Sequence, residues 1–305
     1  MNQLITTKQA FLDNPEAKAK TLLAGLDVSE NTRKDYKARI GMFLNFIGEN
    51  KINNDSFLAY KRHLTEKTSF TIATKNKYLA CARVFLKELN RKGILPMDIT
   101  QNIKCFTQDK KHKRDGLTSI EIITLAGKVN KLKNTPANTR IKAIICLLAL
   151  QGLRQVEITR LDATDIDFVS KKAFILGKGR DDKEAIDLHP ETTTALKRYM
   201  QTNNVKSGAL FTSNSHNNQH KRLTTRGLRG LVKQMLVSLD ISKTTHGFRH
   251  YFTTTLVKQF KGNLLEVSSY TRHKSLEMLQ VYYDRVKKEA DLPKYYNAFK
   301  GVSFL

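Results

Sequence analysis

The feature that most constrains this chain is an uninterrupted apolar stretch near its middle, residues 143–150. A helix through this stretch is apolar on every side, and such helices are buried by their neighbours all round. The helix is predicted from about Thr139 to Gln151, and Gly152 is well placed to end it. The stretch is far too short to cross a bilayer, which takes about 20 residues. It therefore marks the core of a globular domain.

Beyond this helix the apolar pattern changes period. Apolar residues alternate over residues 166–168 and again over 186–188, and a short apolar run covers 173–176. Residues 179–182 form a predicted turn between the last two segments. We therefore expect a three-stranded antiparallel sheet attached to a helical domain. After Pro190 the pattern returns to helices.

The first hundred residues are predicted to form a helical bundle. Helices are expected over residues 31–48, 56–64 and 71–90. The apolar stripe of the first helix is formed by Tyr36, Ile40, Phe43 and Ile47, and that of the third by Leu79, Ala82, Leu86 and Leu89. The fold class predicted for the whole chain is mainly α with a small antiparallel β-sheet.

A charged segment separates these two parts. Residues 109–115 carry no apolar anchor and are followed by glycine, which is typical of a linker. Thr118 and Glu121 then have the spacing of a capping box, in which both side chains satisfy free N–H groups at a helix start. We therefore expect an N-terminal domain over residues 1–108 and a second domain over 116–305.

The charge of the chain indicates its class of partner. Lysine and arginine number 53 against 28 acidic residues, which gives a net charge of +25 and a pI near 9.9. Such an excess opposes compaction by self-repulsion, so a polyanionic partner is expected. Nucleic acid is the first candidate. An anionic membrane surface is the second, although no segment suits it.

The start of the chain and its cysteines indicate the compartment. The first residues lack the basic-then-apolar pattern of a secretory signal. Cys81, Cys105 and Cys146 are scattered without C-x-x-C pairing, which fits reduced cytosolic thiols rather than disulfides or a zinc site. We therefore expect a cytoplasmic protein without a structural metal.

Arg154 is the first residue that suggests chemistry, because it follows directly after the buried helix. A guanidinium near a core must find a partner, since an isolated buried charge is very costly. Two partners are open at this stage. Glu157 would give a structural ion pair, whereas a phosphate would be bound through two parallel N–H···O bonds.

Three further segments carry similar residues. Lys178 lies at the tip of the predicted hairpin between two glycines, although most such lysines are merely solvated. His246 and Arg249 lie three apart at a helix start, which suits a phosphate or an ordinary capped end. Two tyrosines, Tyr282 and Tyr283, follow His273 by nine and ten residues, and core filling is their structural alternative.

Together these segments are far more specific than any one of them. Residues 116–285 resemble the catalytic domain of the tyrosine recombinases, the integrase and Xer-type site-specific DNA recombinases. The N-terminal helices resemble the core-binding domain of that family. The matching segments are Gly152-Leu-Arg154-x-x-Glu157, Gly177-Lys178-Gly179, His246-x-x-Arg249-His250 and His273-Lys-Ser followed by Tyr282. One departure is Arg272, which stands where the family commonly has glycine.

The resemblance implies a role for each matched residue. Tyr282 would be the nucleophile that forms a 3′-phosphotyrosyl link, with Tyr283 as the runner-up, and neither metal, ATP nor another cofactor would be needed. Arg154 and Arg249 would grip the non-bridging oxygens, and Lys178 would be the general acid. His246 and His273 would hydrogen-bond the phosphate and assist proton transfer. Glu157 would orient its neighbours.

The resemblance also implies partners. The substrate would be double-stranded DNA with paired specific sites. A homotetramer would bind this DNA, and its subunits would be monomers when free. Accessory directionality proteins are possible further partners. The expected DNA contacts are Lys34, Lys37, Arg39, Lys75, Lys77, Lys110, Lys111, Lys113, Arg114, Arg222, Arg226 and Arg229. The tail over residues 287–305 would dock into a neighbouring subunit or, alternatively, pack on its own domain. Its apolar residues at helical spacing are Leu292, Tyr295, Tyr296 and Phe299.

Three rival functions remain at this stage. A type IB topoisomerase uses much the same chemistry but relaxes supercoils as a monomer. A DNA-binding protein with an inactive centre would have no need for Tyr282. A metal nuclease is disfavoured because the sequence shows no carboxylate cluster with suitable spacing.

Overall fold

The computed structural model describes residues 22–48, 52–108, 116–177, 179–213, 220–273 and 275–304. The chain divides into two compact units, Met1–Lys110 and Lys111–Leu305. We refer to them as the N-terminal and C-terminal units. The predicted linker, residues 109–115, lies outside the described residues.

The main helices in the described part of the N-terminal unit are α1 (Glu30–Ile47), α2 (Ser56–Glu66) and α3 (Ile72–Arg91). All three predicted helices are confirmed. The side chains of Ser29 and Thr71 cap α1 and α3 by accepting backbone N–H groups three residues on. Phe43 and Tyr60 meet edge to face in the core, with ring centroids 5.0 Å apart.

The C-terminal unit is mainly helical. The capping box predicted at Thr118 and Glu121 is confirmed, because both of its hydrogen bonds form at the first helix of the unit. The helices are α4 (Ser119–Lys131), α5 (Pro136–Ala149), α6 (Gln155–Arg160), α7 (Pro190–Thr202), α8 (Thr225–Val237), α9 (Thr245–Gln259), α10 (Leu264–Thr271) and α11 (Leu276–Ala298). Among the residues that the structure describes, no helix is long and apolar enough to cross a membrane.

Helix α5 is the central helix that the apolar stretch predicted. It lies against α7 and α9, and of residues 143–150 all except Cys146 and Leu150 are buried. The helix begins three residues earlier than expected, because Thr135 caps it and Pro136 occupies its first position. It ends at Ala149, before Gly152 rather than at it.

Gly152 lies where α9 approaches the end of α5. Its φ is +58°, a left-handed conformation that favours glycine. A Cβ at this position would lie 2.3 Å from the Phe252 ring. Glycine is therefore required both by the backbone conformation and by the close approach of α9.

The predicted antiparallel sheet is confirmed, with strands β1 (Ile166–Asp167), β2 (Lys172–Leu176) and β3 (Lys183–Asp187) in that order. Ala173 pairs with Ile166 on one side and with Ile186 on the other. Ala173 and Ile175 point into the core, whereas Phe174 faces outward between them. The connection between β2 and β3 carries Lys178, which lies outside the described residues.

A small apolar cluster joins the last three helices. Val257 of α9, Val267 of α10 and Leu279 of α11 pack together and are fully buried. Tyr282 belongs to the same cluster. The cluster therefore fixes the height and rotation of α11 against α9, and with them the position of Tyr282.

Candidate active site

Tyr282 is a buried tyrosine with a polar partner. Its side chain is only 5 % exposed, and its Oη shares a hydrogen bond of 2.8 Å with Nδ1 of His250. The two ring centroids are 5.4 Å apart, and the ring of His273 lies 6.1 Å away. Burial raises the pKa of Tyr282 to about 12, although the positive charges of Arg249 and Arg154 work against that rise.

The adjacent tyrosine, Tyr283, makes different contacts. Its ring lies against Gly262, where a Cβ would come within 2.3 Å of Cε2. The ammonium group of Lys287 lies 6.0 Å from the centroid of the same ring. The structure therefore brings Tyr282 to His250 and places Tyr283 against the loop between α9 and α10.

Arg249 is a buried arginine held by backbone carbonyls. Its Nη1 donates to the Gly152 oxygen at 2.7 Å, and its Nη2 donates to the Thr271 oxygen at 2.6 Å. The same Nη2 lies 3.5 Å from Nε2 of His273. Burial lowers the pKa of Arg249 to about 10, and the nearby Arg154 adds to this effect. The guanidinium is thus fixed at the end of α5 and the end of α10.

Arg154 forms the ion pair that its position in the sequence left open. Its Nη1 lies 2.9 Å from Oε1 of Glu157, and its backbone N–H donates to Oε2 at 2.7 Å. Glu157 is fully buried, whereas the Arg154 side chain is 35 % exposed. The ion pair therefore orients a guanidinium that still reaches the surface, so the structural and the phosphate-binding interpretations are compatible.

Arg272 supplies a second cation to the same carboxylate. Its Nη2 donates to Oε2 of Glu157 at 3.0 Å, and its side chain is buried. Burial by itself would raise the pKa of the Glu157 carboxyl, but Arg272 and Arg154 hold it below its usual range. Arg272 ends α10 with a φ of +55°, so it adopts the left-handed conformation that a glycine takes readily.

The histidines differ in exposure. His246 is exposed in the first turn of α9, with its ring edge-on to His250 at 4.5 Å. His273 is half-buried, and its Nδ1 lies 2.7 Å from Oγ1 of Thr271. His250 belongs to the matched motif, but its contact with Tyr282 was not foreseen from the sequence. A signal was present, because His250 lies one helical turn after His246.

The expected DNA contacts fall into different settings. Arg39 is half-buried and pairs with Asp35 at 3.3 Å. Arg222 donates to the carbonyls of Thr159 and Leu161 and contacts the Asp162 carboxylate. These contacts connect the end of α6 to the segment before α8. The linker residues Lys110, Lys111, Lys113 and Arg114 lie outside the described residues. Besides Arg222, which is also exposed, the exposed members are Lys34, Lys37, Lys77, Arg226 and Arg229.

Lys75 departs from the expectation. It is buried, 8 % exposed, and its Nζ donates to the Thr65 carbonyl at 2.8 Å. The ring of Phe106 lies 6.0 Å from the same ammonium group. This lysine therefore joins α2 to α3 inside the N-terminal unit, and its ammonium is not presented to a phosphate on the surface.

The tail leaves its aromatic residues exposed. Tyr295, Tyr296 and Phe299 lie near the end of α11, each about 60 % exposed. Their rings contact one another, with centroids 5.5 Å apart between Tyr295 and Phe299. Leu292 is half-buried. In the structure these aromatic rings are therefore exposed and do not pack on their own domain.

The comparison with protein families decides the identity of the chain. The family model described as "Phage integrase family" matches residues 117–289, more than half of the chain. The chain belongs to the phage integrase family. It is accordingly a tyrosine recombinase, an enzyme that cleaves and rejoins DNA strands at specific sites. A type IB topoisomerase and a catalytically inactive DNA-binding protein are not favoured.

Related recombinases match most of the chain. It is 28 % identical over 277 residues to a tyrosine recombinase of Thermosipho africanus, with 85 % of this chain and 93 % of that protein covered. It is 26 % identical over 282 residues to tyrosine recombinase XerC of Roseiflexus sp. strain RS-1, with 88 % of each covered.

Solved structures of recombinases share the fold. One is XerH bound to palindromic difH substrate in a post-cleavage complex, with a TM-score of 0.66 and 18 % identity, covering 85 % of this chain and 77 % of that one. Another is a lambda integrase dimer bound to a COC′ core site, with a TM-score of 0.67 and 14 % identity, covering 92 % and 80 %. The mainly α architecture with a small antiparallel sheet is therefore that of the tyrosine recombinases.

Proposed function

We propose that this recombinase exchanges strands through a covalent 3′-phosphotyrosyl link to Tyr282. The observation that carries the proposal is the position of the Tyr282 hydroxyl. It shares a hydrogen bond with His250, and the positive charges of Arg249 and Arg154 act on it. A phenol held among fixed cations suits attack on a phosphate, because charge grows on the phosphate oxygens in the transition state.

The chemistry follows from the need to reverse the cut. The Oη–phosphorus bond forms while the bond from phosphorus to the 5′-oxygen breaks, which leaves a free 5′-hydroxyl. The phosphotyrosine conserves the energy of the broken bond, so resealing needs no ATP. Attack by a 5′-hydroxyl from the partner duplex then completes the exchange.

Arg154 and Arg249 are the proposed donors to the non-bridging phosphate oxygens. Two of the five N–H groups of Arg249 hold it to backbone carbonyls, and Glu157 orients Arg154. Donors fixed before the substrate arrives need no reorganisation during the reaction, and losing one typically lowers the rate by ~10²–10³.

The remaining residues complete the proposal. Lys178, on the β2–β3 connection, would protonate the leaving 5′-oxygen. His246 and His273 would hydrogen-bond the phosphate and assist proton transfer. Glu157 would act indirectly, by orienting the two arginines with which it pairs.

DNA binding would come largely from phosphate contacts, for which the net charge of +25 is suited. Solved relatives are described as bound to their DNA sites, which supports double-stranded DNA as the partner of this chain. The exposed candidates Lys34, Lys37, Lys77, Arg222, Arg226 and Arg229 are the proposed contacts, together with the linker residues. Because its substrate is DNA, we place the enzyme in the cytoplasm.

The assembly would be a homotetramer on two duplexes. The exposed aromatic rings of Tyr295, Tyr296 and Phe299 support docking of the tail into a neighbouring subunit. We expect monomers in the absence of DNA, with accessory proteins setting direction. The biological task would be integration, excision or resolution of mobile DNA or replicon dimers.

The test is to trap the covalent intermediate. Purified protein is incubated in excess EDTA with nicked duplexes derived from DNA around its own gene, and adducts are resolved by denaturing electrophoresis. We expect a 3′-linked protein–DNA adduct at defined positions. No adduct on any such DNA would favour an inactive binding protein. In a parallel assay on supercoiled circles that carry the cleaved site, relaxed circles without joined partners would favour a topoisomerase.

A further inference from the structure

We infer that His250 is the group that accepts the phenolic proton of Tyr282 during strand cleavage. The inference rests on the proposed function, because it adds a catalytic residue to the same reaction. The roles implied by the family resemblance leave His250 without one, although it belongs to the matched motif. It touches a reacting atom, since its Nδ1 lies 2.8 Å from the Tyr282 hydroxyl oxygen.

The distance meets the geometric requirement for a general base. Such a base must lie within hydrogen-bond reach, about 2.6–3.2 Å, of the atom whose proton it takes. Attack by Tyr282 requires a base, because a tyrosine is mostly protonated at neutral pH. Burial of Tyr282 raises its pKa and disfavours the phenolate further. An unprotonated Nδ1 that accepts the phenol hydrogen bond is positioned for the transfer.

The position of His250 is fixed by its surroundings. It is buried on α9 and lies between two rings, with centroids 4.5 Å from His246 and 5.4 Å from Tyr282. Its neighbour Arg249 is held by the Gly152 and Thr271 carbonyls, which fixes this part of α9. One turn of helix therefore presents a cation for the phosphate and a base for the nucleophile.

The other two histidines have different settings. His273 lies 2.7 Å from the Thr271 hydroxyl through Nδ1 and 3.5 Å from Arg249 through Nε2, which places it beside the proposed phosphate donor Arg249. His246 is exposed, and its ring lies edge-on to the His250 ring. The contact of 2.8 Å between the Tyr282 hydroxyl and Nδ1 of His250 therefore makes His250 the candidate for the base.

Every proton is accounted for in both cleavage and resealing. In cleavage the proton passes from Oη to Nδ1 as the Oη–phosphorus bond forms, and the leaving 5′-oxygen takes a proton from the general acid assigned to Lys178. In resealing, the imidazolium returns its proton to Oη as the phosphotyrosyl bond breaks, and Lys178 takes the proton of the attacking 5′-hydroxyl. No oxidant, reductant or cofactor is needed.

The experiment compares His250→Asn with the wild type in single-turnover cleavage of a nicked duplex. The Asn side chain places a hydrogen-bond acceptor near the position of Nδ1, but it cannot hold a proton. We expect adduct formation to slow by ~10²–10⁴ while DNA affinity is retained. The matched control is His220→Asn, at an exposed position with φ of +64° that Asn tolerates, and it should keep the wild-type rate.

A second measurement separates proton transfer from positioning. Difluorotyrosine at position 282 has a more acidic phenol, so it should shrink the defect of His250→Asn. A wild-type rate in His250→Asn would overturn the inference, and so would a defect that difluorotyrosine leaves unchanged. His250→Gln is the second variant should His250→Asn fold poorly, and the same outcomes apply to it. Failure of the wild type to form any adduct would instead contradict the proposed function itself.

Discussion

Arg272 and Glu157 form a buried ion pair, with Nη2 of the arginine 3.0 Å from Oε2 of the glutamate. The same carboxylate accepts the backbone N–H and the guanidinium of Arg154. One carboxylate therefore connects the start of α6 to the end of α10. Because Thr271 and His273 flank Arg272, this pair also holds the segment that contacts Arg249.

Glu157→Gln should destabilise the fold strongly, because it leaves Arg272 buried without a compensating charge. Removing one partner of a buried pair typically costs about 3–5 kcal/mol. Urea unfolding of the two proteins measures the difference. The control is Asp291→Asn, which breaks an exposed pair with Lys294 and should cost less than about 1 kcal/mol. Similar losses in both variants would contradict the assignment.

The effect of Glu157 should also depend on pH. Its pKa is lowered in the folded state, so its stabilisation is present above the ordinary glutamate pKa of about 4.3 and is lost as the pH falls through the folded pKa. The difference in unfolding free energy between wild type and Glu157→Gln should therefore shrink as the pH drops below about 4.3. A difference that stays constant from neutral to strongly acidic pH would contradict this.

Gly152→Ala should impair both stability and cleavage. The added Cβ would meet the Phe252 ring and strain a left-handed backbone, which together cost about 2 kcal/mol or more. Cleavage should slow because the Gly152 carbonyl holds Arg249. The control is Gly230→Ala in α8, where a Cβ meets open space, and helix propensity predicts a gain of about 0.5–1 kcal/mol. Thermal unfolding and adduct formation check both variants.

Lys75 and Lys77 should respond oppositely to substitution by alanine. Lys77→Ala should lower the slope of log affinity against log salt by about 0.9, as expected for the loss of one phosphate contact. Lys75→Ala should leave that slope unchanged and lower stability by about 1–3 kcal/mol, because it removes the charge-assisted hydrogen bond from a buried lysine to the Thr65 carbonyl. A lower salt slope in Lys75→Ala with unchanged stability would contradict its interior position.

The periodic parts of the fold were predictable from the sequence. The stripe containing Ile40 and Phe43 and the capping box at Thr118 are local signals, and each appears in the structure where the pattern placed it. The apolar pattern predicts the start of α5 three residues too late, because the helix start is set by the Thr135 cap and by Pro136 at its first position. Helix boundaries thus depend on single capping residues, which the hydrophobic periodicity does not reveal.

Pairings between distant residues were not predictable. The sequence placed Arg272 next to His273, but its partner Glu157 is 115 residues away along the chain. His250 meets Tyr282 only because the cluster of Val257, Val267 and Leu279 sets the rotation of α11. Lys75 looked like a surface cation because charge alone does not reveal burial. Residue types were visible in the sequence, and their contacts required the fold.

The central claim is that Tyr282 becomes covalently linked to DNA. The most direct measurement compares Tyr282→Phe and Tyr283→Phe in the adduct assay on the same nicked duplex, with peptide mapping of the linked residue in the wild type. Tyr282→Phe should abolish the adduct, Tyr283→Phe should retain it, and mapping should find DNA on Tyr282. An adduct that persists in Tyr282→Phe and disappears in Tyr283→Phe would contradict the account.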